Sequence, residues 1–123
     1  STWKIQKELG FKYDTSFGYN DNIGFKDDIF RPFKPFEDDF IVFPQVIMDS
    51  CFMATNNRKT KLLNLLDLTE KNDAILVINW HHRSFNEKEF PGYRGAYCEI
   101  IEECKKKNAV FRTLGEYYAE MGK

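Results

Sequence analysis

The chain has little that a metal centre or a disulfide framework is built from. It carries two histidines and three cysteines among 123 residues. The histidines are adjacent, His81 and His82, and no His-x-x-x-His spacing occurs. Two neighbouring imidazoles cannot easily converge on one ion, so no ligand set for a metal is legible in the chain itself. Cys51 stands alone, and Cys98 and Cys104 lie six apart on a segment that reads as helix, which sets them on different faces. An odd count without CxxC spacing argues for reduced thiols and a cytosolic setting. No apolar run approaches the roughly 20 residues that cross a bilayer, and no signal-peptide pattern follows Ser1. Charge of one sign is also lacking: the net charge is −1, which supplies no electrostatic case for nucleic acid or an anionic membrane.

What is present is aromatic. Phenylalanine, tyrosine and tryptophan make up 16% of the chain, and 12 of these residues are Phe. Such a density suits a large core, a sugar-stacking surface or a face that packs on more protein. With 42% hydrophobic and 30% charged residues the composition is that of an ordinary globular domain, one domain at this length.

The stretch that organises the rest runs from Ala74 to Phe85. Five apolar residues, 74–78, read as a strand buried on both faces, and they lead directly into Trp80, His81 and His82. A buried strand that ends in an imidazole sets a proton-transfer group at the rim of an α/β fold, although a histidine that merely satisfies a hydrogen bond fits the same pattern. Upstream, residues 2–9 read as the end of a helix stopped by Gly10, which suggests a chain entered in mid-helix. Residues 11–14 alternate as a short strand. Residues 15–39 hold no periodicity and are expected to form a long ordered loop, with Arg31-Pro-Phe33 as a rigid point. Residues 40–48 form a second strong strand, at an edge, bulged or broken at Pro44, with Asp49 at its C-terminal end as a functional or N-cap residue. Leu62, Leu65 and Leu66 mark one face of a helix over 58–71, and Tyr97, Ile100, Ile101 and Cys104 mark another over 93–107. A last strand over 109–113 and a terminal helix over 114–121 complete an alternating order. Alternation of this kind predicts an α/β fold of mostly parallel strands with outer helices.

Several stretches in this order resemble a known family. They are Leu9-Gly-Phe-Lys-Tyr-Asp-Thr-Ser16, Phe17-Gly-Tyr-Asn-Asp21, Gly24-Phe25, Arg31-Pro-Phe33, Ile47-Met-Asp49, Asn79-Trp-His-His82 and Phe90-Pro-Gly-Tyr93. Together they resemble the C-terminal half of a polysaccharide deacetylase domain of the NodB-homology, carbohydrate esterase type, over nearly the whole chain. The resemblance implies that residues 1–123 are a single partial domain, part of a distorted (β/α) barrel that removes acetyl groups from sugar polymers or hydrolyses a related amide. It implies a divalent metal, usually zinc, whose ligands lie in the half that this chain lacks. His81 matches the family's late histidine, a general acid, and Asp14 falls near an acidic residue that orients it; an Asx-turn role is the rival reading of Asp14. Trp80, His82, Arg31 and Asp49 fall in resembling stretches and are candidates for substrate contact. The implied partners are a carbohydrate substrate and either a second copy or a complementary N-terminal chain. The competing expectation is a non-catalytic module that packs on a partner supplying the missing half barrel, because a half barrel leaves strand edges open.

Overall fold

The computed structural model describes residues 2–121. Helix α1 (Thr2–Glu8) ends at Gly10, which takes the left-handed conformation at φ +93° that the expected stop requires. The chain then enters strand β1 (Tyr13–Asp14), which pairs in parallel with β2 (Ile41–Val42). Between them lies the long loop, with a single 3-10 turn over Lys26–Asp28 and an antiparallel bridge from Phe33 to Val42. Aromatic contacts hold it in place. The rings of Trp3, Phe17 and Phe33 meet at centroid distances of 5.4 to 6.2 Å, so the loop is packed despite its irregular backbone.

The strong strand expected over 40–48 is interrupted, as Pro44 dictates. β2 ends at Val42 and β3 (Ile47–Met48) begins afresh, now pairing in parallel with β4 (Ile78–Asn79). Pro44 has no N–H to give a ladder, and the chain shifts from one neighbour to the other across it. β3 passes directly into α2 (Asp49–Ala54), a short helix that the sequence pattern does not disclose. Next come α3 (Arg58–Lys71), α4 (Tyr93–Lys106) and α5 (Leu114–Met121), close to the expected bounds. One expectation fails. Residues 109–113 join no ladder among the described residues; Val110 and Phe111 stand exposed after Asn108 turns the chain at φ 59°. A short apolar alternation needs a partner edge to become a strand, and this one has none.

The core lies in two parts on either side of the 74–80 stretch. Ala74, Leu76, Ile78 and Trp80 pack on a cluster built from Phe52, Leu62, Leu65, Leu66 and Ile100. Ile75 and Val77 pack on Ile41 and Phe43, covered by Tyr117 and Tyr118 of α5. Side chains of the run pack on both sides, as the sequence reading expected, but only Val77 of 74–78 is buried and only residues 78–79 form ladder bonds. Its partner contacts begin at Val77, whose carbonyl accepts from the N–H groups of Val46 and Ile47. Both strand pairs are parallel, and the helices α2, α3 and α4 pack on the β3–β4 side.

Candidate functional site

Parallel pairing of β3 with β4 brings their C-terminal ends together. Met48 is in register with Asn79, so the residues that follow, Asp49 on one strand and His81 on the other, emerge side by side. Asp49 is the first residue of α2, and its side chain is 3% exposed, whereas that of His81 is 42% exposed. The imidazole Nδ1 lies 3.0 Å and 2.9 Å from the two carboxylate oxygens. The backbone N–H of His81 donates to Oδ2 at 2.9 Å, the Ser84 hydroxyl donates to the same oxygen at 2.6 Å, and the Ser50 N–H donates to Oδ1 at 2.7 Å.

These contacts decide the protonation of the pair. Burial by itself pushes the Asp49 carboxyl up, but the hydrogen bonds from Ser84, from the His81 N–H, from the His81 ring and from Ser50 outweigh it and hold the carboxyl below its ordinary range. An ionised carboxylate can only accept, so Nδ1 must carry the proton it shares with Asp49. Nε2 is the ring nitrogen that Asp49 does not engage, on a side chain 42% exposed. Such an arrangement can serve an acid–base histidine: a buried carboxylate sets the tautomer and leaves a partly exposed ring open to proton exchange.

The structure therefore brings His81 together with Asp49 and not with Asp14. Asp14 accepts from the Trp3 indole at 3.1 Å, from Gln6 at 2.9 Å and from both the N–H and the hydroxyl of Ser16. Burial raises its carboxyl and these bonds more than offset the rise, so it too lies below the ordinary range. The Asp14 carboxylate ties α1 to the turn after β1, including the Asx turn to Ser16 that rivalled the orienting role. Arg31 lies elsewhere as well. It pairs with Asp73 at 2.7 Å and lines a cleft of about 720 Å³ whose walls include Leu66, Ala74, Leu76 and Phe111 but neither Asp49 nor His81. Trp80 and His82 flank His81 in the chain. The Trp80 ring packs among Phe52, Tyr93 and Tyr97, with its indole N–H buried and unpartnered, while His82 is exposed on the 3-10 turn His82–Phe85.

Sequence reasoning missed Ser84, which is 2% exposed and joined to Asp49. A serine in a polar loop carries no local signal of burial; its spacing of three from His81 gains meaning only once Asp49 is known to lie opposite. No three or more His, Cys, Asp or Glu side chains among the described residues are grouped to hold a metal ion. The donors at hand do not fit one either. Both Asp49 oxygens and His81 Nδ1 are committed to each other, and the Cys51 thiol, pushed up by burial, donates to the Asn20 carbonyl. No helix among the described residues is long and apolar enough to cross a membrane. No family model, no curated protein and no solved structure matches the chain.

Proposed function

We propose that this chain supplies the general-acid side of a hydrolase of the polysaccharide deacetylase type. Its substrate is an acetylated sugar polymer or a related amide. The observation that carries the reading is the buried Asp49 carboxylate on Nδ1 of a half-exposed His81. In this reading a carboxylate base outside this chain takes a proton from the water that attacks the acyl carbon from the far side. As the bond from that carbon to nitrogen or oxygen breaks, its electron pair takes the proton of Nε2–H, and the sugar amine or hydroxyl leaves neutral. Asp49 takes the orienting role that the resemblance assigned to Asp14. His82 and Trp80, beside His81 in the chain, are the nearest candidates for substrate contact. Arg31 keeps only the resemblance in its favour, since its partner and its cleft are elsewhere. The described residues do not fit a metal site, so the zinc or other divalent ion of such an enzyme is assigned to ligands outside this chain, within a completed (β/α) barrel. The three cysteines are free thiols, which supports a reducing, cytosolic setting.

The test is turnover by the complete enzyme as its native cell makes it, on acetylated glucosamine oligomers. His81→Ala is expected to lower kcat by about 10²–10⁴-fold with KM nearly unchanged, the usual contribution of a positioned acid. Undiminished turnover removes His81 from the reaction. A second reading has its own observation. Ile5, Leu9 and Phe11 are exposed around α1 and the approach to β1, and Val110 and Phe111 are exposed beside the cleft. These favour a non-catalytic module that packs on a second copy or on a chain supplying further strands. Complex formation without any acyl hydrolysis would select it.

A further inference from the structure

We propose that Ser84 is a positioning residue that sets His81 through Asp49. The inference deepens the reading of His81 as proton donor and rests on it. Ser84 holds the site at two points. Its Oγ donates to Asp49 Oδ2 at 2.6 Å, and its backbone N–H donates to the His81 carbonyl at 3.0 Å. The His81 N–H and ring Nδ1 meet that same Oδ2, each at 2.9 Å. The result is a closed circuit: histidine turn to serine, serine to carboxylate, carboxylate to histidine ring.

The circuit constrains one torsion above all. A carboxylate turns easily about its last side-chain bond. Here Oδ1 is tethered by the Ser50 N–H at 2.7 Å, and Oδ2 by the Ser84 hydroxyl at 2.6 Å and the His81 N–H at 2.9 Å. With both oxygens tethered, the edge presented to the imidazole is fixed, and the ring has one position in which Nδ1–H meets it. Without the Ser84 hydroxyl, Oδ2 loses a donor in a spot too enclosed for that loss to be ignored, since Ser84 is 2% exposed. Oδ2 then keeps only the His81 N–H beside the ring, and the carboxylate is less firmly set. Whenever the loosened carboxylate swings off Nδ1, the ring can take the Nε2–H tautomer, which removes the acceptor at Nε2 that must be reloaded with a proton each cycle.

The tautomer is directly readable. Ring nitrogen resonances of the 123-residue chain, recorded by two-dimensional ¹H–¹⁵N NMR on the alkaline side of imidazole titration, separate Nδ1–H from Nε2–H. The exposed His82 serves as an internal reference. The wild-type His81 ring is expected as the Nδ1–H form alone. Ser84→Ala is expected to add a measurable Nε2–H fraction to the Nδ1–H form, with His82 unmoved and the backbone amide spectrum still dispersed. Ser84→Cys retains the side-chain volume and a weaker donor, and is expected to lie between the two. It replaces the alanine variant as the decisive sample if that variant fails to fold. A folded variant in which His81 keeps the wild-type tautomer overturns the proposal and leaves Ser84 as a satisfied buried hydroxyl. In the complete enzyme Ser84→Ala is expected to lower kcat about tenfold at unchanged KM. The two ideas can fail separately. A shifted tautomer with His81→Ala still active defeats the proton-donor reading alone, and an unshifted tautomer with His81→Ala inactive defeats only the role of Ser84.

Discussion

Asp49 holds a negative charge where only 3% of its side chain meets solvent, and every donor that makes this tolerable comes from the turn after β4 or from the next residue in the chain. Asp49→Asn keeps the shape but loses the charge-assisted character of these bonds. The expected loss of stability at neutral pH is about 1.5–3 kcal/mol, the range for hydrogen bonds to a charged group. The sign with pH follows from the lowered carboxyl. A group held below its unfolded value stabilises fully above that value, about pH 4, and its contribution fades as pH falls through the folded value. Urea midpoints of the wild type and of Asp49→Asn should therefore differ at pH 7 and converge in acid. A difference that stays constant down to pH 2 would mean that the ionised carboxylate contributes nothing. Asp14 carries the same sign for a different purpose, since its donors Trp3, Gln6 and Ser16 join α1 to β1.

The elements are short, and packing rather than ladder length holds them. Each strand is two residues long, so a long loop must supply what the sheets do not. Of the two glycines in the loop, Gly18 is the more tightly seated. A Cβ built there would lie 2.5 Å from the Gln45 carbonyl oxygen, next to the bond from the Gln45 N–H to the Phe17 carbonyl at 2.8 Å. Gln45 follows Pro44 in the gap between β2 and β3, so the glycine lets the loop press against the interruption that the proline creates. Gly18→Ala should cost about 1–3 kcal/mol, the usual penalty of overpacking against backbone. Chemical unfolding checks it; an unmoved midpoint would show that the loop yields there. Gly115 makes a useful control, because a Cβ at that site meets no atom closer than 3.5 Å.

At the scale of the molecule the two core clusters cannot separate without losing the same stretch of chain. Alternate residues of 74–80 belong to opposite clusters, and the segment from Ile41 to Ile47 also contributes to both. Pulling α5 with Tyr117 and Tyr118 away uncovers Phe43 and Val77, and Val77 is the chain neighbour of Ile78, which packs on the other cluster. Unfolding is therefore expected as one cooperative transition. Near-UV ellipticity, which reports the Trp and Tyr rings of both clusters, and far-UV ellipticity should give coincident heat-unfolding curves. Separated curves would divide the chain into a helical part around α3 and α4 and a second part around α5.

Much of this was local enough for the sequence alone to determine. Leucines at 62, 65 and 66 mark the buried face of α3, Gly10 marks the end of α1, and Pro44 marks the break between β2 and β3, because each rests on a period, a φ preference or a missing donor within a few residues. The unbroken apolar run also marked 74–78 as a strand to be buried on both faces and His81 as a residue just past its end. Only the tertiary structure decided which carboxylate meets that histidine. Asp49 lies 32 residues from His81, and their meeting depends on the parallel register of Ile47 with Ile78 and Met48 with Asn79, a long-range choice that leaves no mark in either segment. The same reason hid Ser84 and α2, whose six residues are too few to display a helical period. It also made 109–113 read as a strand, since a strand exists only where another edge accepts it. The amino-acid pattern chose the elements that can form; packing between distant segments chose which side chains they bring together.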